Sequence, residues 1–179
     1  MLSMAFNLQE GVKAKFEADR ERMGFTHPII GLHVRRGDKC RKGSRLMPPA
    51  LCASSAPFLD AARRLREEYG VKAVFIATDD PSVITDCRRS RDFKCLAFED
   101  DTRGMNSVSS KQPHSSRSGY VTQSILRDMD TLAMCDFFVG AIGHTGVSRI
   151  AYELLAGRRN GHVPFVSFGS WAWGMKGFA

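Results

Sequence analysis

The residues most able to do chemistry are His33, Arg35, Arg36, Asp38 and Lys39, which follow directly on the apolar run Ile29-Ile30-Gly31-Leu32. Arginine offers a planar fork of donors that matches phosphate oxygens in pairs. In open α/β sheets, ligands gather beyond the carboxyl ends of the strands. A cationic cluster at such an end is placed to hold an anion, so the expected chemistry is a phosphate or diphosphate clamp. Two plainer readings stand beside it. Arg-Arg after a strand also serves as a solvated turn that blocks edge pairing. Arg36-Gly37-Asp38 spells an adhesion tripeptide, although a loop beside a buried strand is a poor place to display one.

Two further polar clusters also follow apolar runs. Thr78-Asp79-Asp80-Pro81 comes after Val71–Ala77. Asp80 is placed to cap a helix that has Pro81 at its first position. Gly143-His144-Thr145-Gly146 comes after Asp136–Ala141 and turns into a helix. Free amides and the dipole at that N-terminus suit an anion, and a plain threonine cap explains the same residues. Asp128 falls on the helical stripe of Val121, Ile125, Met129 and Leu132. A carboxylate on a buried stripe is costly unless paired. It is either structural, bonded to a backbone amide or an arginine, or aimed at ligand donors such as the N–H edge of a guanine. Asp130 is expected to point outward.

These clusters need elements to position them. Leu8, Val12 and Phe16 mark an amphipathic helix that ends near Met23-Gly24. Residues 29–35 read as a strand, 37–55 as a long loop, and Ala56–Tyr69 as a helix with Phe58, Ala62 and Leu65 inward. Further strands are expected over 71–77, 93–98, 136–141 and 163–168. Helices are expected from Pro81 to Arg89, over 119–134, and along the stripe Val147, Ile150, Ala151, Leu154 and Leu155, closed by Gly157. The Ser-rich 99–117 stretch is read as a mobile loop or lid, and Trp171-Ala172-Trp173 as a tail packed on the domain. Alternating helices and continuous apolar strands predict an α/β fold with a doubly wound, Rossmann-like parallel sheet. Strand ends at Arg35, Asp79 and Gly143 then share one edge, and the three clusters converge on one cleft.

A chain of 179 residues with 43% hydrophobic and 25% charged residues is that of one ordinary globular domain. The net charge of +7 favours anionic partners without choosing among nucleotides, nucleic acid and membranes. The basic residues are scattered rather than set along one face, which disfavours nucleic acid. The five cysteines are odd in number and lack a C-x-x-C pair, so they argue neither for zinc nor for a full disulfide framework. Two pairing in an oxidising lumen, or most acting as small core residues, is expected. Met1–Asn7 is too short and mixed for a signal peptide, and no apolar run reaches the length of a membrane span.

His33-Val34-Arg35-Arg36-Gly37-Asp38-Lys39 resembles the signature of the α1,6-fucosyltransferases, a family that includes animal core-fucosylation and rhizobial nodulation enzymes. Glu17 to Asp38, including Met23-Gly24-Phe25 and His27-Pro28, is similar to the animal form. Ala77-Thr78-Asp79-Asp80-Pro81-Ser82 resembles the second family motif. Asp128, Asp136-Phe137-Phe138-Val139 and Arg149-Ile150-Ala151-Tyr152-Glu153 resemble the third.

The resemblance implies the nucleotide-binding half of a GT-B glycosyltransferase, spanning residues 1–179. Such an enzyme transfers fucose from GDP-fucose, with inversion and without a metal cofactor, to a GlcNAc of an N-glycan acceptor in the Golgi lumen. By the family pattern Arg35 clamps the diphosphate, with Arg36 and Lys39 in the same catalytic group. His33 and Asp128 contact the guanine, Asp79 and Asp80 shape the donor pocket, and His144 and Thr145 sit at the phosphates. Three departures stand out. The animal form has Ser-Ser-Gln at the Gly143-His144-Thr145-Gly146 turn and Thr where Gly37 stands. Its proposed base is a Glu shortly after the motif's Lys, where residues 40–45 here hold no carboxylate, leaving Asp38 as a substitute. The acceptor-side half, membrane anchor and SH3-like domain are expected to be absent from this chain. The competing reading is a non-catalytic module that binds GDP or a GDP-sugar.

Overall fold

The computed structural model describes residues 8–40, 47–98 and 114–168, and for Asp38 and residues 114–121 the backbone alone. Among these residues five parallel strands form one sheet in the order β3-β2-β1-β4-β5. They are β1 Ile29–Val34, β2 Ala73–Thr78, β3 Lys94–Leu96, β4 Phe137–Gly140 and β5 Phe165–Ser167. The helices are α1 Glu10–Met23, α2 Pro49–Ala53, α3 Ala56–Tyr69, α4 Pro81–Ser90, α5 His114–Leu132 and α6 Gly146–Arg158.

Every residue of β1, β2 and β4 is buried, which is why these strands read as continuous apolar runs rather than alternating ones. Alternation along β1 sends Ile30, Leu32 and Val34 to one face of the sheet, against Phe58, Ala62 and Leu65 of α3 and Val83 and Ile84 of α4. Ile29 faces the other way, toward Leu132 of α5 and Ala151, Leu154 and Leu155 of α6. His33 shares the parity of Ile29, so the pleat directs it toward α6. Each fully buried Leu, Ile or Phe in these two layers contributes about 2–3 kcal/mol.

The predicted doubly wound parallel sheet is the one observed, and α3 has the predicted ends. Several local expectations change. The 37–55 stretch is not wholly loop: Asp38–Cys40 forms a 3₁₀ turn, and α2 follows. Helix α5 begins at His114 rather than Gly119, and α6 runs through Gly157 to Arg158. Of the 99–117 stretch read as a mobile loop or lid, residues 114–117 are instead the first turn of α5, while 99–113 and the Trp171–Trp173 tail lie outside the described residues.

The cysteine reading is corrected more sharply. Cys40 pairs with Cys52 and Cys87 with Cys95, which leaves Cys135 buried and unpaired. Their Cα atoms stand 5.3 and 6.2 Å apart, inside the range a disulfide needs. Spacing along the chain carried no sign of this, because the fold brings each pair together.

Asp130 is also corrected. It does not point out: it is 5% exposed and held by Arg20 Nη1 at 2.6 Å and Arg158 Nη2 at 2.7 Å. Ile125, expected to face inward, is exposed instead.

Candidate functional site

The strand order reverses between β1 and β4. From β1 the chain builds outward through β2 to β3, then returns to the other side of β1 to lay down β4 and β5. In such sheets a crevice opens at this switch point, beyond the carboxyl ends of the strands. The register aligns the ends: Val34 pairs with Thr78, and His33 pairs with both Ala77 and Gly140. The segments after β1, β2 and β4 therefore leave the sheet at one edge, as the sequence predicts.

Arg35 and Arg36 are each matched to a carboxylate from the turn after β2. Arg35 Nη1 lies 3.1 Å from Asp79 Oδ2, and Arg36 Nη1 lies 3.1 Å from Asp80 Oδ2. Asp79 also accepts the Arg36 backbone N–H at 2.8 Å, so it grips the turn as well as the side chain. Asp80 divides its oxygens: Oδ1 caps α4 by accepting the Ser82 N–H at 2.9 Å, while Oδ2 meets Arg36. The predicted cap is present, and it serves the arginine too. Thr78 Oγ1 donates to the Val34 carbonyl at 2.7 Å and accepts the Asp80 N–H at 3.1 Å, which braces the two strand ends together. Arg36 Nη2 further donates to the carbonyl of Cys52.

The turn after β1 approaches this carboxylate closely. A Cβ at Gly37 would fall 2.2 Å from Asp79 Oδ2. Glycine at this position lets the carboxylate sit under the turn and reach both the Arg36 amide and Arg35.

His33 is 6% exposed at the end of β1. Its Nδ1 lies 2.5 Å from Ser148 Oγ and 3.5 Å from Thr145 Oγ1. Thr145 caps α6, its Oγ1 accepting the Ser148 N–H at 3.1 Å. The plain threonine cap is thus present, and it lies beside His33. Burial, and then the nearby Arg35 charge, lower the His33 pKa to about 3, so the imidazole is neutral at physiological pH. The α6 N-terminus, with its amides and positive dipole end, opens at the same edge as Arg35.

The other candidates are placed less centrally. Lys39 is half-buried in the 3₁₀ turn, and His144 is half-buried in the turn after β4, where its N–H donates to the Ala141 carbonyl at 3.0 Å. The Asp38 side chain lies outside the described residues. Asp128 stands half-buried on α5. With Asp130 it has the spacing of an Asp-x-Asp metal pair, but Asp130 is committed to two arginines. Among the described residues no three His, Cys, Asp or Glu side chains are grouped to hold a metal ion.

The sequence reading missed two participants, Ser148 and Cys52. Ser148 stands three residues after the capping Thr145, a spacing that signals a cap but not a histidine partner.

This arrangement can be set beside known proteins. A family model described as the N- and catalytic domains of alpha-(1,6)-fucosyltransferase matches residues 1–164. The chain belongs to the α1,6-fucosyltransferase family. An alpha-(1,6)-fucosyltransferase of Drosophila melanogaster is 30% identical over 139 residues, which cover 74% of this chain and 20% of that protein. Among solved structures, NodZ alpha-1,6-fucosyltransferase soaked with GDP-fucose aligns with a TM-score of 0.57 and 22% identity, over 90% of this chain and 45% of NodZ. POFUT1 in complex with GDP-fucose aligns with a TM-score of 0.59 and 13% identity, over 90% of this chain and 47% of POFUT1. At these identities both show the fold alone. This family member thus spans about a fifth of its Drosophila relative and under half of each solved structure.

Proposed function

We propose that this chain is the donor-binding half of an α1,6-fucosyltransferase and binds GDP-fucose through its diphosphate. The observation that carries this reading is the pair Arg35–Asp79 and Arg36–Asp80, at the switch point that the α6 N-terminus shares. Carboxylates that hold two guanidiniums in place leave them preorganised for a dianionic group, with no reorganisation needed when charge develops. A guanidinium carries five donors, enough to hold a carboxylate on one edge and an anion on another. NodZ and POFUT1, which share the fold, have been solved with GDP-fucose.

In the reaction this implies, an acceptor hydroxyl attacks the anomeric carbon of fucose as the bond to the diphosphate breaks. The configuration inverts, and GDP leaves with the bonding electron pair. Arg35 and Arg36 stabilise that leaving charge, and no divalent metal is required of the step. Neutral His33 and Asp128 contact the guanine, Asp79 and Asp80 hold the clamp, and the His144-Thr145 turn meets the phosphates beside Lys39. The acceptor proton goes to a general base, and Asp38 is the carboxylate nearest in sequence to the clamp. The acceptor is a GlcNAc of an N-glycan, presented by an acceptor-side half. Two disulfides suit an oxidising compartment such as the Golgi lumen.

The second reading is a module that binds GDP or a GDP-sugar without transferring it. It is favoured by the absence of a carboxylate from residues 40–45.

Calorimetric titration with GDP, GDP-fucose and ADP, on wild type and on Arg35→Ala, tests the site. Micromolar binding of both guanine nucleotides, weak ADP binding and a loss of at least tenfold in the mutant are expected. Equal binding of ADP, or an unchanged affinity in Arg35→Ala, overturns the assignment. Transfer of fucose to an asialo-agalacto glycan then separates enzyme from binder.

A further inference from the structure

We propose that the Cys40–Cys52 disulfide is a positioning element for Arg36, and through it for donor affinity. The inference rests on the donor-site reading above. Arg36 is held at backbone and side chain: its N–H by Asp79, its carbonyl by the Cys40 N–H at 2.7 Å, and its guanidinium by Asp80 and the Cys52 carbonyl. The last two anchors belong to different elements. Asp80 caps α4, whereas Cys52 lies in the final turn of α2.

A helix of five residues is too short to persist alone, and its last carbonyls have no partner within the helix. The disulfide bridges 12 positions of chain and fastens α2 to the turn that carries Arg36. Its two cysteines therefore touch Arg36 from both sides, one by backbone N–H and one by carbonyl. The arrangement is a closed loop of covalent and hydrogen bonds around an arginine whose side chain is 15% exposed. Opening the disulfide frees the Cys52 carbonyl to move away. The Arg36 guanidinium is then left to Asp80, and its side chain becomes mobile at the clamp. Cys87–Cys95 joins α4 to β3 and lacks this connection.

The test measures GDP affinity by calorimetry in wild type, Cys40→Ser/Cys52→Ser and Cys87→Ser/Cys95→Ser. Circular dichroism checks that each variant is folded. The first pair is expected to lose about tenfold in affinity, the worth of one charge-assisted hydrogen bond, while the second pair binds as wild type does. In an Arg36→Ala background the Cys40→Ser/Cys52→Ser change is expected to cost nothing further, a coupling that a merely structural disulfide would not produce. Should the serine pair fail to fold, Cys40→Ala/Cys52→Ala, whose methyl groups suit the apolar cluster these cysteines pack against, removes the bridge and gives the same comparison. Wild type that binds GDP with an affinity indifferent to the bridge, or an equal loss in the Arg36→Ala background, overturns this inference alone. Wild type that binds no GDP overturns the donor reading and this inference together.

Discussion

At the scale of single residues, His33 and Gly37 carry the sharpest consequences. His33 titrates near pH 3 in the folded chain and near its ordinary 6.5 once unfolded. Between those values the unfolded state binds the extra proton. Stability is therefore full above pH 6.5 and falls with acidification toward pH 3, at up to about 1.4 kcal/mol per pH unit. Urea denaturation at pH 7 and pH 5 is expected to show this slope in wild type and to lose it in His33→Gln; an equal slope in both would assign it elsewhere. Gly37 stands where the family motif resembled here has Thr. A methyl group there meets Asp79 Oδ2 well inside contact distance, so the carboxylate must leave the Arg36 amide or the turn must shift. Gly37→Ala is expected to cost about 1–3 kcal/mol by chemical denaturation and to weaken GDP binding as well. Unchanged binding would show that Asp79 has room to yield. Both residues stood out in the sequence, one as a candidate ligand and one as a departure. Their environments did not, because Ser148 and Asp79 come from segments 115 and 42 positions away.

At the scale of elements, α5 shows where periodicity misleads. A single stripe through Val121, Ile125, Met129 and Leu132 turns Asp128 inward and Asp130 outward. The helix packs on more than one side, however. Met129 and Leu132 are buried, while Asp130 faces Arg20 of α1 and Arg158 of α6. Asp19 of α1 likewise meets Arg127 of α5, at 3.2 Å. A helix wedged between neighbours buries charges outside its apolar stripe provided they are paired, and no one-helix pattern reveals the partners. Removing this carboxylate leaves two arginines facing each other. Asp130→Ala is expected to lower the unfolding free energy by about 3 kcal/mol in urea, with GDP affinity unchanged at low temperature. A change below about 1 kcal/mol would mean that solvent reaches the trio freely.

At the scale of the whole molecule, β3 is an edge strand of three residues, fastened to α4 by Cys87–Cys95. A bridge across 8 positions is worth about 2–3 kcal/mol by loop entropy. Cys87→Ser/Cys95→Ser should lower the thermal midpoint by several degrees, and scanning calorimetry reads this directly. The layered α/β architecture needed no tertiary information. Buried parallel strands must be apolar throughout, helices must show one apolar face, and glycine stops such as Gly24 and Gly70 end them, so each element writes its own signature locally. The gathering of the strand ends at Arg35, Asp79 and Gly143 at one edge followed too, because parallel strands all end on the same side. Contacts between distant segments were decided only by the tertiary structure: the pairing of Arg35 with Asp79 and Arg36 with Asp80, the serine that holds His33, the salt-bridged burial of Asp130 and the two disulfides. Each depends on the distance between segments that no local pattern encodes, and that distance is set when the sheet and both helical layers close around their shared core.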